Sequence, residues 1–68
     1  MRQFAATFLF RATAIDERSF DRKRRTFYLI AETPKEAKND ATRQLKTGEV
    51  LGKTAKLGKQ YGDYFFKD

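Results

Sequence analysis

From Phe4 to Ile15 the residues alternate with a period of two. Phe4, Ala6, Phe8, Phe10, Ala12 and Ala14 fall on one parity, and Gln3, Ala5, Thr7, Leu9, Arg11 and Thr13 on the other. Such alternation marks a β-strand with one buried face. Small alanines beside phenylalanines leave room for a helix to settle on that face. A second segment, Arg25–Glu32, puts Arg25, Phe27, Leu29 and Ala31 on one parity and Thr26, Tyr28, Ile30 and Glu32 on the other. Both of its faces are apolar in the middle. Phe27, Leu29 and Ala31 are expected to turn toward the helix, leaving Tyr28 on the open face beside Thr7, Leu9 or Arg11. The two segments then form a β-hairpin whose connection, Asp16–Arg25, is exposed and basic.

A helix start follows directly. Thr33 is suited to cap the first-turn amides, Pro34 to the first helical position, and Glu36, three residues after the cap, completes a capping box. Ala37, Ala41, Gln44 and Leu45 form a narrow stripe at helical spacing, while Lys35, Lys38, Asn39, Arg43 and Lys46 point outward. Gly48 is the expected end of the helix.

Beyond it, Gly48, Gly52, Gly58 and Gly62 punctuate the chain, and Leu51-Gly52-Lys53 recurs as Leu57-Gly58-Lys59. Glycine at this density argues against a helix, leaving a curled loop or a short irregular strand pair over 48–60. In an extended chain the even offset would put both leucines on one face and both lysines on the other. Tyr61–Phe66, rich in rings, is expected to return to the sheet as a short strand. The expected fold is α+β: a small antiparallel sheet, made of the hairpin and a short C-terminal strand, with one helix packed on one face, in the order β-β-α-β.

Composition narrows the picture. A chain of 68 residues reads as one small domain spanning 1–68, and a domain this small buries only about 60% of the surface its unfolded chain exposes. With no Cys and no His, neither disulfides nor the usual zinc ligands can reinforce it, so aromatic packing or self-association must. Seven Phe and three Tyr supply the rings, and a homodimer is expected as one use of an open face and free sheet edges. Absence of Cys fits a cytoplasmic setting. The Met1-Arg2 start and the apolar Phe4–Phe10 stretch imitate a secretory leader, but Thr7 interrupts the stretch and Arg11 separates it from Ala12-Thr13-Ala14; the segment reads as a strand. The longest apolar run, Phe27–Ala31, is far short of the ~18–20 residues of a spanning helix, so no membrane partner is expected.

The net charge of +6 and pI near 9.9 favour acidic partners. Counting Arg11, the hairpin end carries six basic and three acidic residues, half of the chain's net charge. Arg18, Arg22, Lys23, Arg24 and Arg25 are therefore candidates for phosphate contacts, with Phe20 and Tyr28 available for stacking. Lys53, Lys56 and Lys59, on the glycine-rich segment, form a second set that would add attraction without reading bases. Asp16, Glu17 and Asp21 offer the plainer alternative of a solvated loop, and evenly spread lysines are also how edges stay soluble. The glycine-aromatic pattern of RNA-binding sheets is missing, so core or dimer packing is the expected use of Tyr28 and Tyr64 ahead of stacking.

Gly48–Thr54 imitates a nucleotide phosphate loop but has three residues between its glycines where four are required, and it follows a helix where that loop precedes one. Catalysis has little support: Ser19 is the sole serine, no imidazole or thiol accompanies it, and the carboxylates have simpler uses as caps, loop solvation or surface pairs. The expectation is a non-enzyme without metal or cofactor, a small nucleic-acid-binding accessory or regulatory protein, with DNA the first ligand to test. Its rival is an interaction module, an inhibitor or adaptor of phage or plasmid size and charge, that offers a sheet edge or aromatic face to an acidic protein.

Overall fold

The computed structural model describes residues 6–67. Its elements are β1 (Phe8–Asp16), β2 (Arg24–Ala31), α1 (Pro34–Arg43), β3 (Glu49–Tyr61) and β4 (Tyr64–Lys67). The strands make one antiparallel sheet in the order β2-β1-β3-β4. Strand, strand, helix, strand is the expected order, and the last strand arrives as a β3–β4 hairpin.

The hairpin forms as its parity requires. Phe8 pairs with Ala31, Phe10 with Leu29 and Ala12 with Phe27 in an uninterrupted ladder. Phe10, Ala12 and Ala14 are buried, as are Leu29 and Ala31. Phe4 lies outside the described residues. Ala37 and Ala41 join Phe10, Ala12, Leu29 and Ala31 in one core cluster, with Phe8, Phe27 and Leu51 against its rim. Among the described residues Phe10 is the one large side chain that is fully buried, and it lies in the cluster that Ala37 and Ala41 join.

The helix begins as expected. Thr33 is extended (φ −136°, ψ 157°) and its Oγ1 accepts from the Glu36 amide at 3.1 Å. The Glu36 carboxylate reaches back to the amide of Glu32 at 3.4 Å. The helix ends earlier than Gly48, at Arg43 with Gln44 as its cap. Gly48 (φ +89°) belongs instead to the turn that launches β3, where the Glu49 amide donates to the Lys46 carbonyl at 2.9 Å. A helix of ten residues is only about 15 Å long, so the sheet extends past it; there, Lys56 Nζ lies 4.7 Å from the centre of the Phe8 ring.

The glycine-rich segment is neither a loop nor a short strand pair. It is the longest strand, thirteen residues, and it fills the sheet's interior beside β1. Two register shifts, opposite Leu9/Phe10 and opposite Ala12/Ala14, let it accommodate extra residues. Such bulges bend and twist a strand. Gly58 is where β4 comes closest: a β-carbon there would collide with the Phe66 carbonyl oxygen and stand 2.9 Å from Lys67 Cα. Gly62 (φ +57°) opens the two-residue turn between β3 and β4, a position that favours glycine.

Candidate functional site

The Asp16–Arg25 connection is an ordered structure standing in solvent. The Asp16 amide donates to the Lys23 carbonyl at 2.8 Å, closing the ladder, and the Glu17 amide donates to the Gly48 carbonyl at 3.0 Å. Asp16 Oδ1 accepts from the Arg18 amide at 2.9 Å. Ser19 Oγ donates to the Asp16 carbonyl and accepts from the Lys23 amide. The lone serine is thus a brace for the turn. Arg22 takes the left-handed conformation (φ +50°), which is uncommon for a side chain of this size. Arg18, Arg22, Lys23 and Arg24 are exposed, and none forms an ion pair with another described residue. Phe20 is fully exposed at the tip.

Arg25 is different. It shares the parity of Phe27 and Leu29, and its partly exposed guanidinium is paired within the molecule: Nη2 donates to Glu49 Oε1 at 2.8 Å and Nε to Oε2 at 3.1 Å. Nη2 also reaches the Gln44 carbonyl at 3.2 Å, and Phe27 lies beneath it at 5.0 Å. The clasp ties β2 to the helix C-terminus and the start of β3. Glu49, whose side chain is only 8% exposed, is lowered to about 2 by its bond from Arg25, with help from the Lys46 amide. The same bond raises Arg25. Of the five hairpin cations, this one is structural.

The lysines of β3 separate. Lys56 pairs with Phe10 and Lys59 with Phe8, which puts both on the helix side of the sheet. Lys53 lies on the opposite side, lining the open face with Arg11 and Tyr28. Ordinary alternation separates Lys53 from Lys56, three positions away, and the register shift opposite Leu9/Phe10 then reverses the parity and brings Lys59 to the side of Lys56 and not that of Lys53.

An open face was expected, but sequence reasoning missed its cationic border. Arg11 pairs with Tyr28 and Ala55, Thr13 with Thr26, and Ile15 with Arg24 and Val50. All of these but Val50 line a shallow trough with two adjoining lobes. One, of about 460 Å³, is bounded by Arg11, Thr13, Thr26, Tyr28, Lys53 and Ala55. The other, of about 600 Å³, adds Ile15, Arg24 and Gly52 and shares Thr13, Thr26 and Lys53. Three cations border the trough and no carboxylate does. Tyr28 is 59% exposed on this face, so its ring serves the surface and not the core. The site therefore brings Arg24, Lys53 and Tyr28 into one region with Arg11; Arg18, Arg22 and Lys23 stay exposed on the hairpin end beyond it, and Arg25, Lys56 and Lys59 lie elsewhere. Arg11 was readable as an open-face cation from its parity with Leu9 and Thr13; Lys53 was not, because the glycine-rich segment offered no strand register in which to place it.

Among the described residues no cluster of acidic groups could hold a metal ion, and no helix is long and apolar enough to cross a membrane. Comparison with family models, with curated proteins and with solved structures finds no significant match.

Proposed function

We propose that this protein is a small nucleic-acid-binding accessory or regulatory factor of the cytoplasm that grips phosphates along a continuous cationic surface. The surface runs from the hairpin end (Arg18, Arg22, Lys23, Arg24) onto the open face of the sheet (Arg11, Lys53). One observation carries the reading: the trough on the open face is bordered by Arg11, Arg24 and Lys53 without a single carboxylate, although the chain holds nine acidic residues. Cations kept for internal pairing look like Arg25, held against Glu49. Cations kept apart from carboxylates retain their full attraction for a polyanion.

The test is fluorescence anisotropy with labelled nucleic acid across a salt series. Contact with about six phosphates should cost roughly 10³-fold in affinity between 50 and 200 mM salt. Replacing Arg11, Arg24 and Lys53 together by Ala should flatten the slope by about one per charge removed, as should the pair Arg22→Ala and Lys23→Ala. Salt-independent binding, or none at 50 mM, would defeat the proposal.

A second reading is favoured by one feature. Tyr64, Phe65 and Phe66 are exposed on β4, a strand at the free edge of the sheet, and exposed aromatic edges are sites where another chain can add a strand. An inhibitor or adaptor, or a homodimer, would use that edge. Its binding would persist at high salt and be lost on changing Phe65 to Pro.

A further inference from the structure

We infer that the trough on the open face takes a single strand of nucleic acid, with a base stacked on Tyr28 and the neighbouring phosphates held by Arg11, Lys53 and Arg24. The inference rests on the nucleic-acid reading above and specifies its ligand.

The shape of the site decides between strand and duplex. A duplex offers base edges only inside its grooves, so an element that reads it must project. This site recedes. Its floor is the cross-strand pair Thr13 and Thr26, whose short side chains lie lower than the flanking Arg11, Arg24, Lys53 and Tyr28. A duplex could touch the cationic rim but could not bring a base to the ring of Tyr28. An unpaired strand can, because its bases are free to splay onto an aromatic platform.

The ring is free to receive one. Tyr28 has no aromatic neighbour within stacking distance among the described residues, where the one ring pair is Tyr61 with Phe66. It faces Arg11 directly across the ladder, so a base on the ring would place its phosphate near that guanidinium. Arg24 lies four positions before Tyr28 along β2, about 13 Å away, which suits the two or three bases that a sheet of this size stacks. Beyond Arg24 the hairpin tip carries the fully exposed ring of Phe20.

The chain contains no Trp, so a Tyr28→Trp variant carries a single, site-specific reporter. Oligothymidine and oligouridine about ten nucleotides long, enough to cover a site of this kind, and a duplex of mixed sequence would be titrated at about 50 mM salt, where phosphate contacts are strong. Both anisotropy and the emission of the introduced indole would be followed. The single strands should quench that emission and bind Tyr28→Trp and Tyr28→Phe about as tightly as wild type. Tyr28→Ala should weaken single strands by about 5–100-fold and leave the weaker duplex binding within about twofold. Because Tyr28 lies on the surface, a thermal melt of Tyr28→Ala close to that of wild type confirms an intact fold. Duplex preference, or equal binding of single strands by wild type and Tyr28→Ala, overturns the inference while leaving the phosphate reading standing. Failure of wild type to bind any of the three probes overturns both.

Discussion

Gly58→Ala is the sharpest probe of how the sheet is closed. Gly58 pairs with Leu9 on one side and Lys67 on the other. An added β-carbon would run into the Phe66 carbonyl and come within 2.9 Å of Lys67 Cα and 3.0 Å of Phe65 Cε1. Carbon atoms prefer about 3.5–4.0 Å, so β4 must move away by the better part of an ångström. Whether it moves or detaches depends on how firmly it is held. Phe65 and Phe66 remain 44% and 56% exposed and Tyr64 72%; with about 200 Å² per ring, the strand buries roughly 250 Å² of ring surface, about 6 kcal/mol at ~25 cal/mol/Å². Ordering four residues costs about 6 kcal/mol at ~1.5 kcal/mol each. The two quantities nearly cancel, so a modest clash should release β4 while the rest of the sheet stays. The assay is two-dimensional NMR with amide hydrogen exchange. The variant should lose the cross-strand contacts between Lys59 and Phe66 and the protection of β4, yet keep slow exchange around Phe10 and Leu29. Retention of the β3–β4 contacts, or collapse of the whole domain, would refute this reasoning.

Other perturbations test the core and the clasp. Phe10→Ala removes the one large side chain fully buried among the described residues at a cost of ~3–5 kcal/mol, comparable to the ~3–10 kcal/mol expected for the whole chain; circular dichroism should show it largely unfolded at physiological temperature. The Thr54 hydroxyl is buried without a hydrogen-bond partner among the described residues, so Thr54→Val should raise stability by ~1 kcal/mol in urea denaturation, and a loss would show that the hydroxyl is satisfied in solution. Glu49 is depressed from 4.5 to about 2, so its pairing contributes fully above the ordinary carboxylate value and is lost as pH falls toward 2. Melting temperature should therefore drop across that window in wild type and vary less in Glu49→Gln, which starts lower; parallel curves would deny the clasp its role.

Much of this architecture could be read in advance because the relevant signals were local. Alternation over Phe8–Ala14 fixes which side of β1 is buried, and Thr33-Pro34 starts the helix by supplying a cap and a ready-made φ. The helix end was less legible. Arg25 takes the Gln44 carbonyl and Glu49 takes the Lys46 amide, so partners distant in sequence finish what Gly48 was expected to finish. Glycine density concealed β3, since glycine is a poor strand former in general; here one glycine is required by the approach of a neighbouring strand and another by a turn. Among the candidate site residues, the hairpin cations were legible as a cluster of charge, whereas the pairing of Arg25 with Glu49 was not. Its parity with Phe27 and Leu29 already pointed inward, and a carboxylate twenty-four positions away waited there. Charge was counted along the chain where side should have been counted first.

The two irregularities in β3 mean that the distribution of lysines between the surfaces of this protein is a matter of counting, not of composition. Deleting a single residue between Leu51 and Gly58 would leave the overall charge almost unchanged, yet would carry cations from one side of the molecule to the other. Homologues that differ by one position in that stretch could thus present opposite polarity to a polyanion while looking nearly identical on paper.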